Sequence, residues 1–277
     1  MTVDGRPLVS LVIPTYQSVG QLSTTLESAL SQTYPRIEIC VSDHASTDGT
    51  WQLLQSYRDR VALRRITAGG GAQRNWNAAT EMASGELVKL LCADDLVTPD
   101  CVERQVAALE EHPSAALVSA KRRLIGRSGV VLLEQRGLGP LTGLQDGLTA
   151  VGTLVRSGSN LLGEPGTVLF RRAALVEAGA WSTHYPYLID QHAYMRVLEG
   201  HDMVGVDEVL ASFRVTRGQW SVRLASVQAA QARALHREYR DRHPGTVRRR
   251  DLACGDVRAT TASAVRRMAY VAWRRHM

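Results

Sequence analysis

The chain is expected to be an α/β protein, with a mostly parallel central sheet flanked by helices and a helical extension at its C-terminal end. Three observations predict this. Short apolar runs alternate with helix-length amphipathic segments through the first hundred residues. The loops after those runs are rich in Asp, Thr and Gly. From about Val222 onward the pattern is helical throughout. Strand, helix, strand at this spacing gives parallel neighbours, because a parallel pair needs a long crossover and a helix supplies it.

The elements follow in order. Apolar runs at 8–13 (LVSLVI), 37–42 (IEICVS), 61–66 (VALRRI) and 86–91 (ELVKLL) read as four strands. Amphipathic segments at 19–32, 49–57 and 72–84 read as the helices between them. Thr98-Pro99 has the form of an N-cap followed by proline at the first helical position, so DCVERQVAALEEH should be helical. AALVSAKRRLI and GVVLLEQR read as strands. The glycine-rich stretch 137–166 reads as the least regular part, suited to a mobile or acceptor-facing segment. A strand (166–172), a helix (188–200) and another strand (209–215) come next, and a boundary between 221 and 222 separates the domain 1–221 from a basic helical extension, 222–277.

Composition limits the classes. With 277 residues, 44% hydrophobic and 22% charged, the chain can bury a sizeable core and is not a disordered one. No run approaches the roughly 20 apolar residues of a membrane span. The opening MTVDGRPLVSLVIPTY lacks the basic-then-apolar pattern of a secretory leader, so a cytoplasmic location is expected. Cys40, Cys92, Cys101 and Cys254 are scattered without a C-x-x-C pair; Cys40 and Cys92 lie in apolar runs, as small core residues do. The formal charge of +6 is concentrated in late arginines, as in VRRMAYVAWRRHM. A solvated helix face is the plain reading of that tail. An anionic lipid surface, packing on a second subunit and an anionic ligand are the alternatives, and nucleic acid is not expected.

Ligands of parallel sheets bind beyond the carboxyl ends of the strands. The loops PTYQS, DHASTD, TAGGG and CADDLVTPD are therefore the ones that could carry chemistry. Asp43 ends the second strand, where a carboxylate can accept from a nucleobase N–H or cap a helix; Asp48 is better placed to cap. The triple glycine 69–71 fits neither phosphate-loop pattern and reads as a turn. Arg74, on the helix beyond it, can face a base or a phosphate. Asp94 and Asp95 side by side offer hard oxygen ligands for Mg²⁺ or Mn²⁺, or else form an exposed turn.

Taken together, VSLVIPTYQSVGQLSTTLESALSQTYPRIEICVSDHASTDGT and GGGAQRNWNAATEMASGELVKLLCADDLVTP resemble the family 2 inverting glycosyltransferases of GT-A fold. LIDQHAYMRVLEG and LASFRVTRGQWS resemble later parts of that family, so the resemblance covers roughly residues 8–221. It implies a UDP- or dTDP-sugar donor, a divalent cation (Mg²⁺ or Mn²⁺), and a carbohydrate, lipid-linked or small-molecule acceptor. Pro14, Thr15 and Tyr16 would border the nucleoside, Asp43 would bond its base, and Arg74 would approach from the next loop. Asp94 would lie near ribose or metal, Asp95 would bind the cation, and Asp190 would be the general base. The chain also departs from the family pattern. The usual D-A-D-D reads Cys92-Ala93-Asp94-Asp95, an acid pair reads Ile189-Asp190, and a frequent histidine is Thr216, which leaves Arg214 or Arg217 to serve. A nucleotidyltransferase would want a Gly-rich basic signature near the first strand, which PTYQSVGQL lacks. An inactive, scaffolding family member is the other alternative, suggested by Cys92 and Thr216.

Overall fold

The structure is a computed structural model that describes residues 5–216, 227–273 and 275–276. Arg217 and the 221/222 boundary lie outside the described residues. The chain runs β1 (Val9–Thr15), α1 (Leu22–Leu30), β2 (Ile37–His44), α2 (Thr50–Gln55), β3 (Ala62–Ile66), α3 (Gly71–Thr80), β4 (Leu87–Leu90), β5 (Leu96–Val97), α4 (Cys101–Glu111), β6 (Ala115–Ile125) and β7 (Val131–Arg136). It continues with β8 (Gly143–Gln145), α5 (Gly147–Ser157), β9 (Val168–Arg171), α6 (Arg172–Glu177), α7 (Ile189–Leu198), β10 (Asp202–Arg214), α8 (Gln228–Arg242) and α9 (Arg249–Ala272).

The strands join in one sheet, in the order β3-β2-β1-β4-β9-β6-β10-β5, with β7 on β6 and β8 on β10. The β3-β2-β1-β4 half is parallel, as its helical crossovers require. Beyond β4 the sheet is mixed: β9 is antiparallel to β4 and β6, and β7 returns on β6 through a tight turn. Every residue of β1 is buried. Leu11 and Ile13 pack with Leu22 and Leu26 of α1 on one side, while Val12 packs with Ala79 of α3 on the other. A strand covered on both faces carries a continuous apolar run, which is why LVSLVI was readable.

Three local expectations change. Helix α4 starts at Cys101, because the Thr98 hydroxyl donates to the Asp100 carboxylate (2.8 Å) while its carbonyl accepts the Cys101 N–H. The stretch 137–166 contains a regular helix, α5, whose first turn is capped by Asp146 accepting from the Thr149 N–H at 2.8 Å. A short helix, α6, follows β9 directly.

Helices α8 and α9 pack against α5 and α7. Leu235, Tyr239 and Val247 are buried in the same core cluster as Val155 and Met195. Glu199, at the end of α7, pairs with Arg242 (2.9 Å) and His243 (2.6 Å), and Arg156 of α5 pairs with Asp251 (2.8 Å). A Cβ on Gly255 would lie 2.0 Å from the Val155 carbonyl, so α9 and α5 approach as closely as only glycine allows.

Candidate active site

The first part of the site lies at the carboxyl ends of β1, β2 and β3. Asp43 stands in register with Thr15 on one neighbour and Arg65 on the other. Its carboxylate is fully buried, with Arg65 Nε at 3.2 Å, the Ser46 N–H donating at 3.2 Å and the Thr15 hydroxyl at 3.4 Å. Pro14 sits in register with Ser42, and the Thr15 carbonyl accepts from the buried Asn75 amide of α3 at 2.9 Å. Tyr16 is exposed, its ring 5.9 Å from that of His44.

Arg74 behaves differently from the expectation that it faces a base. Its guanidinium folds back over its own loop and donates to the carbonyls of Thr67, Ala68 and Gly69 and to the Thr67 hydroxyl. Gly69, Gly70 and Gly71 make this wrap with φ of 99°, 78° and 64°, and a Cβ on Gly70 would meet Arg74 Cδ at 2.6 Å. Left-handed backbone at all three positions is the physical need behind the triple glycine, with the crowding by Arg74 confined to Gly70. Asp48 accepts from the Thr50 N–H at 3.0 Å ahead of α2, and from the Val19 N–H at 3.1 Å.

The second part follows β4. The chain turns tightly there, the Asp95 N–H donating to the Cys92 carbonyl at 3.0 Å. Thr25 Oγ1 of α1 lies 3.0 Å from the Ala93 carbonyl and 2.9 Å from that of Asp95. Asp95 is buried, and its Oδ1 accepts the Arg214 N–H at 2.8 Å from the end of β10. Arg214 spends its guanidinium on carbonyls: those of Asp94 (2.7 Å), Gly126 (3.1 Å) and Arg127 (3.0 Å). Burial pushes Asp94 up to about 6, with Arg214 pulling the other way. Burial, and then the charge of Asp94, push Asp95 well above the carboxylate range. Two adjacent acids held in this state would be relieved by a cation between them. That fits a divalent ion taking these two carboxylates, with its remaining oxygens from a ligand. Among the described residues no cluster of three metal-ligating side chains exists.

The third part is Asp190, in the first turn of α7. Its Oδ2 accepts from Asn160 Nδ2 at 3.0 Å. Burial raises it to about 7; Glu164 adds to the rise, while the first-turn N–H groups and Arg122 oppose it. Arg122 is almost fully buried on β6 and pairs with Glu164. Cys92 links the second and third parts. Burial raises its thiol well above the usual value, and Asp95, Asp94, Asp190 and Glu164 all add to that rise. The acid pair and Asp190 therefore act on the same small region at the end of β4.

A profile of glycosyl transferase family 2 matches residues 10–177. The chain belongs to this family. WfaP of Escherichia coli, a UDP-Glc:α-D-GlcNAc-diphosphoundecaprenol β-1,3-glucosyltransferase, is 35% identical over 104 residues, which are 37% of this chain and 41% of WfaP. TarS of Staphylococcus aureus, a poly(ribitol-phosphate) β-N-acetylglucosaminyltransferase, is 31% identical over 123 residues, 43% of this chain and 22% of TarS. The matches thus span less than half the length of these relatives. Two solved structures share the fold. Residues 1–349 of TarS with UDP-GlcNAc superpose with a TM-score of 0.62 at 20% identity, covering 87% of this chain and 74% of that one. A Pyrobaculum calidifontis mannosyltransferase with GDP-Man and Mn²⁺ gives 0.64 at 19% identity, covering 99% and 77%. The fold is the GT-A fold of these neighbours.

Within this family 2 chain, several site residues escape sequence reasoning. Arg65 is the cation on Asp43, and Asn160, Glu164 and Arg122 surround Asp190. A signal existed for one of them: Arg122 lies inside the apolar strand AALVSAKRRLI, and a charge inside a covered strand needs a partner. Other residues settle as packing. Trp181 is buried, edge-on to Trp76 at 5.2 Å, with its indole N–H on the Thr80 hydroxyl. His192 is walled in against Tyr185, and burial lowers it to about 4. Tyr185 donates to Glu238 of α8 at 2.8 Å, so this loop anchors the C-terminal helices.

Proposed function

We propose that this family 2 chain is an inverting glycosyltransferase, moving a sugar from a UDP- or dTDP-sugar to an acceptor hydroxyl in one displacement. The observation that carries the reading is the placement of Asp43 at the end of β2 and of the Asp94-Asp95 pair after β4, the two parallel neighbours of β1, with Asp190 of α7 and the acid pair both acting on the buried Cys92. Neighbours of the same fold, solved with UDP-GlcNAc and with GDP-Man and Mn²⁺, support it.

Asp43, oriented by Arg65 and Ser46, accepts from the base N–H. Thr15 and Tyr16 border the nucleoside. Asp94 and Asp95 would hold a divalent cation, which would supply Lewis-acid stabilisation to a departing diphosphate. Asp190, steadied by Asn160, takes the acceptor proton as general base. As the acceptor oxygen bonds to C1, the bond from C1 to the diphosphate oxygen breaks. The proton moves to Asp190 and the nucleoside diphosphate leaves. Attack from the face opposite the leaving group inverts C1.

A panel of nucleotide sugars tested with Mn²⁺ or Mg²⁺ is expected to contain one donor that raises the melting temperature and releases nucleoside diphosphate only when the cation is present. Stabilisation without release by any donor, in the presence of glycan and lipid-linked acceptors, would point to an inactive binding protein instead. Arg65→Ala is expected to weaken binding of the selected nucleoside diphosphate by about tenfold, through loss of a charge-assisted contact that orients Asp43. Titration calorimetry reads this, and unchanged affinity would remove Arg65 from the base site.

A further inference from the structure

Helix α9 is 24 residues long, and only one side of it faces the protein. Asp251, Gly255, Ala259 and Ser263 are buried against the body at the four-residue spacing of one helix face. The opposite face is apolar and in solvent: Val257, Val265, Met268 and Val271 are 67%, 53%, 65% and 73% exposed. Thr261 and Ala264 continue that exposed row. Apolar side chains on the solvent side of a helix already docked along its other side have no role in holding the fold together.

Charge decides what covers this row. Arg249, Arg250 and Arg275 are exposed at its two ends. Both acids of the helix are turned to the body instead: Asp251 pairs with Arg156, and Asp256 lies 3.6 Å from His236 and 4.0 Å from Arg237. An apolar strip rimmed by arginines and cleared of carboxylates matches an anionic lipid surface, with the apolar side chains among the acyl chains and the guanidinium groups at the phosphates. Two copies of the chain fit it less well. Antiparallel pairing would set Arg249 and Arg250 against the Arg275 end of the second copy, and parallel pairing would set each arginine against itself. Among the described residues no helix is long and apolar enough to cross a membrane, so contact would be in the interfacial plane.

The helix also ends beside the candidate site. The Arg127 N–H donates to the His276 carbonyl at 2.7 Å, and the Arg127 carbonyl accepts from Arg214, whose N–H holds Asp95. Partway along the helix, the Arg266 guanidinium bonds the Tyr187 hydroxyl, three residues from Asp190. We propose that the exposed face of α9 docks the protein onto an anionic bilayer, lying in its interface. A membrane-borne acceptor would then be presented near Asp190. That last clause rests on the transferase reading; the docking itself does not.

The test is co-sedimentation of the full chain with vesicles of phosphatidylcholine alone and of phosphatidylcholine with phosphatidylglycerol. Pelleting is expected only with the anionic vesicles, and should weaken as salt is raised. The double variant Val265→Glu, Met268→Glu, at exposed positions, should lose vesicle binding by at least about tenfold. Its circular dichroism and melting temperature should stay at the wild-type values. Arg249→Glu with Arg250→Glu should reduce binding to anionic vesicles separately. Equal binding to neutral vesicles, no binding to either, retention by the glutamate variant, or loss of a light-scattering dimer in that variant would overturn the proposal. Vesicle binding is read without turnover, so a chain that releases no nucleotide yet binds anionic vesicles would sink the transferase reading and leave this one standing.

Discussion

Asp190→Asn is expected to slow sugar transfer by about 10²–10⁴-fold while leaving nucleotide affinity nearly unchanged. The amide keeps the size of the side chain and still accepts from Asn160, so what disappears is the capacity to take a proton. In the wild type, burial lifts Asp190 to about 7. A base must be deprotonated to act, so transfer should fall as the pH drops through that value. Stability should respond in the opposite sense. A carboxyl whose folded pKa is raised keeps its proton when the unfolded chain has lost it. Its contribution is intact below the ordinary value of 3.8 and is lost as the pH rises toward about 7. The Asn variant escapes that loss. Relative to wild type it should melt higher above pH 7 than it does below pH 4, where both side chains are neutral. Turnover at the wild-type rate would remove Asp190 from the chemistry. A stability difference that does not vary with pH would show that its carboxyl is not held in this state.

Asp95→Asn is expected to weaken cation-dependent nucleotide binding by at least about tenfold, with little change in binding measured without the cation. The choice of Asn over Ala matters. Asp95 Oδ1 accepts the Arg214 N–H, and an alanine would leave that buried donor unpaired at a cost of about 1–3 kcal/mol. Asn keeps an oxygen for Arg214 and removes only the charge. Because burial holds both acids upward and the charge of Asp94 raises Asp95 further, cation uptake by the wild type should also release protons, more so at lower pH. Titration calorimetry in buffers of different ionisation enthalpy reads both quantities. Equal affinities for wild type and variant in the presence of Mn²⁺ and Mg²⁺ would place the cation elsewhere.

The α/β class was legible in the sequence because β1, β2 and β4 are buried on both faces or nearly so, which forces unbroken apolar runs. The adjacent acids Asp94 and Asp95 were legible for the same reason, being the first charges after such a run. Contacts that depend on register or on distant segments were not. Arg65 reaches Asp43 only because β2 and β3 align those two residues. Asn160 and Glu164, both from the segment between α5 and β9 in the glycine-rich stretch that reads as irregular, meet Arg122 of β6 around Asp190. Helix α5 is hidden there because Gly147 and Gly152 occupy packing positions against the His201 and Thr246 backbone, where larger residues would have shown the helical period. Arg74 was legible as a residue, but not its direction. That direction is set by three successive left-handed glycines, which no side-chain pattern encodes.

The grip of Thr25 on the carbonyls either side of Asp94 has a consequence for how a sugar nucleotide is received. Helix α1 clamps the main chain of the acid turn, and Arg214 braces it from the opposite edge. Drawing this turn outward would break those hydrogen bonds, so a ligand taken up under the proposed function is expected to meet a preset main chain and to be accommodated by carboxylate rotation and by the outer loops.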